Sequence, residues 1–343
     1  MIRNSYGTSS AIQRKIKEAS SSPKTQIRTL PGSKLIVELL VIAFMGLIAY
    51  AAHLSGMAVV LFPELAAVSH DVLLRPQGEW ARQPIQLVLA PTLTAAFGLF
   101  CTRHLHYSVW GILLIVVVSL VVIKLLRCSI SPAISAAVLP FVLSERGWLY
   151  PLAIFFDLSL LVLILMLRKR EHFCTCTHSS TKTVRAQGFP EVLDALEAAP
   201  GNRSWVIALL GFVLVVGSAA QFTGLRLILF PPLIVMGYEL LGHPEVPGWM
   251  KRPVLLPFVC MLTAGAGLLA QHMLHPASVA VMIAVLCSVG ILRFFDLHMP
   301  PALAIGVLPF VIHSPDYRYV LSVFLGTVAL TLSHMGYKRL LFL

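Results

Sequence analysis

The chain has 343 residues, of which 57% are hydrophobic and 12% charged, and its mean hydropathy is +0.84. Soluble globular proteins carry about a quarter charged residues, so a soluble domain is excluded. The formal charge of +11 sits in tails and loops rather than among exposed aromatics, which argues against a nucleic-acid partner and for positive-inside membrane topology.

Residues 1–34 hold seven Lys/Arg against the single acid Glu18 and predict a basic cytoplasmic tail. The tail is also Ser-rich and acid-poor, as organelle transit peptides are, so a targeting role stays open beside a disordered tail. Ala49-Tyr50-Ala51 imitates a signal-cleavage site, but 35–53 has a mid-chain counterpart at 204–222 and so belongs to the fold.

A membrane span needs roughly 20 apolar residues to cross ~30 Å of hydrocarbon. Eight such segments follow in order: 35–53, 84–102, 109–126, 148–167, 205–222, 253–271, 277–295 and 319–335. Four shorter apolar stretches marked by proline lie between them, at 57–73, 131–143, 225–241 and 299–312.

The short stretches reveal an internal repeat. LRCSISPAISAAVLPFVLSE in the first half and FDLHMPPALAIGVLPFVIHS in the second share seven of twelve positions when Ser131 is set on Pro300. The same offset sets Arg82-Gln83-Pro84 on Lys251-Arg252-Pro253, Gly98 on Gly267, Lys124 on Arg293 and Tyr150 on Tyr319. A slip of one residue brings Leu61-Phe62-Pro63 onto Leu229-Phe230-Pro231. The expected organisation is a tail (1–34), a first transmembrane repeat (35–170), a cytoplasmic linker (171–203) and a second repeat (204–343).

Arg168-Lys169-Arg170 closes the first repeat and Lys338-Arg339 the second, so both ends, like the tail, are expected in the cytoplasm. Each repeat then crosses an even number of times and the two are parallel. The predicted fold is an all-α, polytopic transmembrane bundle of two parallel tandem repeats, each with four long spans and two short proline-broken helices. Whether the short segments cross or are re-entrant, giving twelve or eight spans, stays open. The charge rule favours crossing, whereas the short stretch 131–143 spans only about 20 Å as helix.

Proline removes a backbone donor and clashes with the carbonyl four residues earlier, unless it stands in the first helical turn. Ser131-Pro132-Ala133 and Met299-Pro300-Pro301-Ala302 are therefore expected to start half-helices whose N-termini offer a positive dipole end to a small anion. Phe62-Pro63-Glu64 and Phe230-Pro231-Pro232 supply a second broken element per repeat, with Glu64 in one copy only. Lys124 and Arg293 precede the broken segments by a turn or so and are either a positive rim for an anion path or residues reaching an interface. His298, beside Met299, is a candidate proton relay or an interfacial polar group.

The cysteines imply no disulfide framework. In EHFCTCTH, His172, Cys174, Cys176 and His178 alternate, but the spacing fits no closed zinc site, and a polar linker without metal is expected. No nucleotide-binding loop, triad spacing or metalloprotease motif occurs, so neither an enzyme nor a bound cofactor is expected.

These residues resemble the HPP family of integral membrane proteins, named for a His-Pro-Pro motif before a short apolar segment. The resemblance runs through LHMPPALAIGVLPFVI, KRPVLLPFVCMLTAGAGLL, LFPPLIVMGYELL and the closing SPDYRYVLSVFLGTVALTLSHMGYKRL. The motif histidine is Met299 here and Ser131 in the first repeat, whereas the helix-starting prolines Pro301 and Pro132 stand in both. The resemblance implies a transporter, with nitrite uptake into plastids the family's best-known proposal. The expected function is a transporter or channel for a small, anionic, nitrite-like solute, with a non-transporting scaffold or complex subunit as the alternative. Expected partners are the lipid bilayer and the small solute, self-association being left open, in a multi-pass protein of the bacterial inner membrane.

Overall fold

The computed structural model describes residues 31–175, 200, 204–244 and 252–341, the side chains of 31–33, 59 and 170–175 excepted. The basic tail 1–30 and the linker positions Cys176 and His178 lie outside the described residues, as do the side chains of His172 and Cys174.

Among the described residues there are twelve α-helices and no strand. In the first half they are α1 (Pro31–Ser55), α2 (Glu64–Leu74), α3 (Pro84–His104), α4 (Val109–Leu125), α5 (Pro132–Leu143) and α6 (Leu149–Thr175). In the second half they are α7 (Ser204–Thr223), α8 (Pro231–Gly242), α9 (Leu255–Met273), α10 (Ala277–Phe294), α11 (Pro301–Val307) and α12 (Tyr317–Leu341). All eight long predicted segments are helices, and seven are long and apolar enough to cross a membrane. The eighth, α4, has 17 residues, about 26 Å of helix. The chain is a multi-pass membrane protein.

Local sequence explains where the helices begin and end. Proline occupies the first turn of α3, α5, α8 and α11, where its missing N–H has no partner to lose. Ser108 caps α4 by accepting from the Gly111 amide at 3.2 Å. Helices α4 and α10 stop identically. Arg127 and Asp296, equivalent positions of the two halves, both adopt φ of 51°. The next amide, of Cys128 or Leu297, then reaches back to Ile123 or Leu292 at 3.1 and 2.9 Å. This is a Schellman closure, in which the left-handed residue turns the chain and satisfies carbonyls the helix leaves open.

The prolines of the two VLPFV segments are handled the same way in both halves. Pro140 cannot donate to Ala136, and Pro309 cannot donate to Ile305. The phenol of Tyr150, on α6, donates instead to the Ala136 carbonyl at 2.7 Å, and that of Tyr319, on α12, to the Ile305 carbonyl at 2.6 Å. Both tyrosines are fully buried. In lipid, where no water can solvate a freed carbonyl, this bond is what makes the internal proline tolerable. The halves differ in one respect: α5 stays α-helical through Pro140 to Leu143, while α11 ends at Val307 and tightens into a 3₁₀ turn, Leu308–Val311.

Close packing replaces the hydrophobic effect as the force between these helices, because lipid tails are as apolar as the side chains. Helix α3 lies so near α5 that a Cβ added to Gly98 would fall 1.9 Å from the Ala137 carbonyl oxygen. Gly267 on α9 meets the Gly306 carbonyl of α11 in the same way, at 2.0 Å. Across the halves, α1 packs on α10 and α7 on α4. The long helices also show an outer apolar face. On α4, Trp110, Leu114, Val121 and Leu125 are exposed while Ile112, Ile115, Ser119 and Ile123 face inward.

Side-chain bonds sort the helix ends into two groups. Arg168 Nη1 and Lys169 Nζ, at the end of α6, donate to the carbonyls of Leu73 and Ala81 at 3.3 and 2.9 Å. Trp80 Nε1 donates to the Ser129 carbonyl at 3.2 Å. The end of α2 therefore lies with the end of α6 and the start of α5. At the opposite end, Arg103 donates to the Arg146 carbonyl at 2.6 and 2.9 Å, and Arg226 Nη1 to Ser144 Oγ at 3.3 Å.

If the tyrosine bond exists to satisfy the proline-freed carbonyl, the two residues are energetically coupled. Tyr150→Phe is expected to lower unfolding free energy by about 1–3 kcal/mol. In a Pro140→Ala background, which restores the backbone donor, the same substitution should cost less, and thermal unfolding of the four proteins in detergent gives the coupling.

Candidate functional site

The four short helices meet at the centre of the bundle, and each meets a partner from the other half. Helix α2 packs on α11, and α8 on α5. Their side chains are buried without interruption from Glu64 to Leu73, Pro132 to Val142, Pro231 to Leu241 and Pro301 to Pro309. The predicted residues Phe62, Pro63, Glu64, Phe230, Pro231, Pro232, Ser131, Pro132, Ala133, Met299, Pro300, Pro301 and Ala302 are all buried here, and His298 is partly buried beside them.

Two serines on one face of α5 carry the polar contacts. Ser131 Oγ donates to Glu239 Oε1 of α8 at 2.6 Å, and Ser135 Oγ, one turn on, bonds to Glu64 Oε1 of α2. The second oxygen of Glu64 has no hydrogen-bond partner among the described residues. Helix α5 thus begins between two carboxylates. Acceptor oxygens near a helix N-terminus are favourable, and the protein's own carboxyl groups provide them.

The first free amides of the proline-started helices are already used. Ala133 N donates to Ile130 O at 3.2 Å and Ile134 N to Ser131 O at 3.0 Å; Ala302 N and Leu303 N donate to Met299 O and Pro300 O at 3.0 and 2.9 Å. In this conformation those amides are bonded to turn carbonyls, and the nearby carboxyl groups bond to the serine hydroxyls.

A second polar group lies at the approach to α11. Asp71 of α2 accepts from Arg75 Nε at 2.9 Å and has His298 Nε2 at 3.8 Å. The rings of His70 and His298 stand 5.5 Å apart at 33°. Asp71 and Glu239 are positional counterparts, each eight residues beyond the proline of a Leu-Phe-Pro, and each touches the entry to a short helix of the other half.

Lys124 and Arg293 do not join this centre. Both sit in the last turn of their helices, where a cation complements the C-terminal dipole. Lys124 is exposed; Arg293 is half-exposed and pairs with Glu38 of α1, its Nε lying 3.1 Å from Oε1. Asp71, Arg75, Ser135 and Glu239 were not singled out from the sequence. The signal available for them was the Asp71/Glu239 correspondence, visible once the two Leu-Phe-Pro segments are aligned with their one-residue slip.

No family model, curated protein or solved structure matches the chain.

The two ion pairs differ in burial, and so should their contributions. Asp71→Ala breaks a pair in which the carboxylate is 1% and the guanidinium 11% exposed, and is expected to cost about 3–5 kcal/mol. Glu38→Ala, opposite an Arg293 that is 51% exposed, is expected to cost about 1 kcal/mol or less. Thermal unfolding in the same detergent compares them directly.

Proposed function

We propose that the chain is an integral membrane transporter of a small solute, built from two parallel six-helix repeats whose short helices exchange partners at the bundle centre. The observation that carries this reading is the set Ser131, Ser135, Glu64 and Glu239, gathered by α2, α5 and α8 in the buried centre of the bundle. Ionisable groups at membrane depth are expensive, and where they persist they mark solute or ion paths by default. Broken helices meeting at a repeat interface are the form such sites take in secondary transporters.

Support for the repeat comes from contacts that recur at equivalent positions of the two halves: Tyr150 to Ala136 and Tyr319 to Ile305, Gly98 to Ala137 and Gly267 to Gly306, and the Arg127 and Asp296 closures. Support for twelve crossings comes from the helix ends. The end that holds Leu73, Ala81 and Ser129 also holds Arg75, Arg82, Lys124, Arg127, Arg168, Lys169 and Arg293, against Arg103, Arg146 and Arg226 at the other. By the positive-inside rule the first is cytoplasmic. The short helices then cross with extended flanks instead of turning back.

A small anion such as nitrite is the solute favoured by the resemblance to HPP proteins, and Ser131 and Ser135 are the donors it would meet. The second reading, a non-transporting scaffold, is favoured by one observation: the starts of α5 and α11 are buried and their amides satisfied.

Purified protein in liposomes separates the two. Nitrite uptake above protein-free vesicles is expected, and Pro301→Leu should reduce it while the protein remains monodisperse; no uptake, or uptake unchanged by the substitution, leaves the scaffold. Orientation has its own measurement. A membrane-impermeant maleimide should label Gln77→Cys from the cytoplasmic face only and Arg146→Cys from the opposite face only, in a background lacking the native thiols. Labelling of both from one face would point to re-entrant segments.

A further inference from the structure

Glu64 of α2 and Glu239 of α8, the two carboxyl groups that bond to Ser135 and Ser131, have hydroxyl partners and, among the described residues, no counter-charge. We propose that Glu64 and Glu239 form a proton-binding site that exchanges protons with water each time the short helices part, so that solute movement is accompanied by proton movement.

Glu64 is 2% exposed and Glu239 3%. Among the described residues no Lys, Arg or His lies within ion-pair distance of either, whereas Asp71 has Arg75 and His298, and Glu38 has Arg293. A carboxylate in such surroundings costs so much that the group neutralises unless a cation or water reaches it. A serine hydroxyl suits both forms, donating to the carboxylate and accepting from the carboxylic acid. The unpartnered, buried second oxygen of Glu64 is a place where a proton can reside.

The neighbours supply no replacement charge beside Glu64: the phenols of Tyr150 on α6 and Tyr319 on α12, which it influences electrostatically, bond to the Ala136 and Ile305 carbonyls. Near Glu239, the ring of Tyr238 packs on Trp205, and Asp71 of α2 and the adjoining Arg75 act on the carboxyl group with opposite signs. His243 and His334 bond to backbone carbonyls of α8, those of Glu239 and Leu240, and not to the carboxylate. When the short helices open to one side a carboxylate takes a proton from the water there, closing carries it across as the neutral acid, and opening to the other side returns it to water, with no change of oxidation state. A neutral acid beside Ser131 and Ser135 also removes the repulsion that a carboxylate would exert on an entering anion. The coupling, though not the proton site itself, rests on the transporter reading.

Infrared spectroscopy of the full chain in lipid tests the site without any solute. At neutral pH the protein should show the C=O stretch of protonated carboxyls, shifted in D₂O and weakened in both Glu64→Gln and Glu239→Gln. If either glutamine variant fails to fold, Ser131→Ala and Ser135→Ala carry the test, since loss of the hydroxyl should move the corresponding band to higher frequency. Absence of the band at neutral pH, or a band untouched by all four substitutions, overturns the proposal. A pH dye inside the liposomes tests the coupling, with protein-free vesicles setting the leak of nitrous acid. Acidification that follows nitrite entry supports it. Nitrite entry without acidification overturns it and leaves transport standing, while no entry with the band present rejects transport and leaves the proton site.

Discussion

Hydrocarbon cannot solvate a carbonyl, and the centre of this protein is arranged around that constraint. Pro140 and Pro309 each deprive a carbonyl of its helical donor, and a tyrosine from the last helix of the same half supplies the bond. To reach it, Tyr150 and Tyr319, at the starts of α6 and α12, lie inside the bundle, while those helices pack on α3 and α9. Helices α3 and α9 in turn close on α5 and α11 through Gly98 and Gly267, whose missing Cβ lets backbone touch backbone. The short helices are consequently buried in protein, a setting in which irregular backbone is tolerated at membrane depth.

That enclosure also makes the polar centre possible. The long helices present Trp, Leu, Phe and Val outward and take the contact with lipid, leaving α2, α5, α8 and α11 with no lipid-facing surface. Serine and glutamate can therefore stand on them without meeting hydrocarbon, provided that they bond to one another. The partner exchange across the halves places some of those contacts where the two halves meet. Ser131 to Glu239 and Asp71 to His298 both join a residue of one half to a residue of the other. In the proposed transporter, relative motion of the halves would break and remake these contacts, which is how a local polar change becomes a change of access.

Much of this frame could be read in the chain itself. Apolar length located the eight long helices, and first-turn prolines located the starts of α5 and α11, because both follow from local chemistry. Alignment of Ser131 on Pro300 paired Tyr150 with Tyr319 and Gly98 with Gly267, although not the reason: the carbonyl each tyrosine serves lies fourteen residues away, and the glycine's neighbour about forty away. Lys124 and Arg293 read along the chain as either the rim of an anion path or residues reaching an interface. In three dimensions they stand in the last turns of α4 and α10, Lys124 exposed and Arg293 paired with Glu38. Asp71 and Glu239 carried a weaker signal, a carboxylate at matching places in two segments whose alignment slips by one residue. Only the crossing of α2 onto α11 and α8 onto α5 gives that match its meaning.

The halves share a scaffold and diverge where chemistry would occur. Ser131 and Ser135 of α5 correspond to Pro300 and Ala304 of α11, and Glu64 corresponds to Pro232. Among the described residues the hydroxyl–carboxylate contacts are made where α5 meets α2 and α8, while the approach to α11 instead places His298 beside Asp71 and His70. A symmetric dimer would be obliged to place the same groups at both junctions. With both copies in one chain, one junction can hold acids without counter-charge and the other an ion pair with histidine, and the Tyr–carbonyl and glycine contacts that support each are left unchanged. The backbone devices recur in both halves and the ionisable groups do not, which separates the residues that hold the short helices in the membrane from those available to act on a solute.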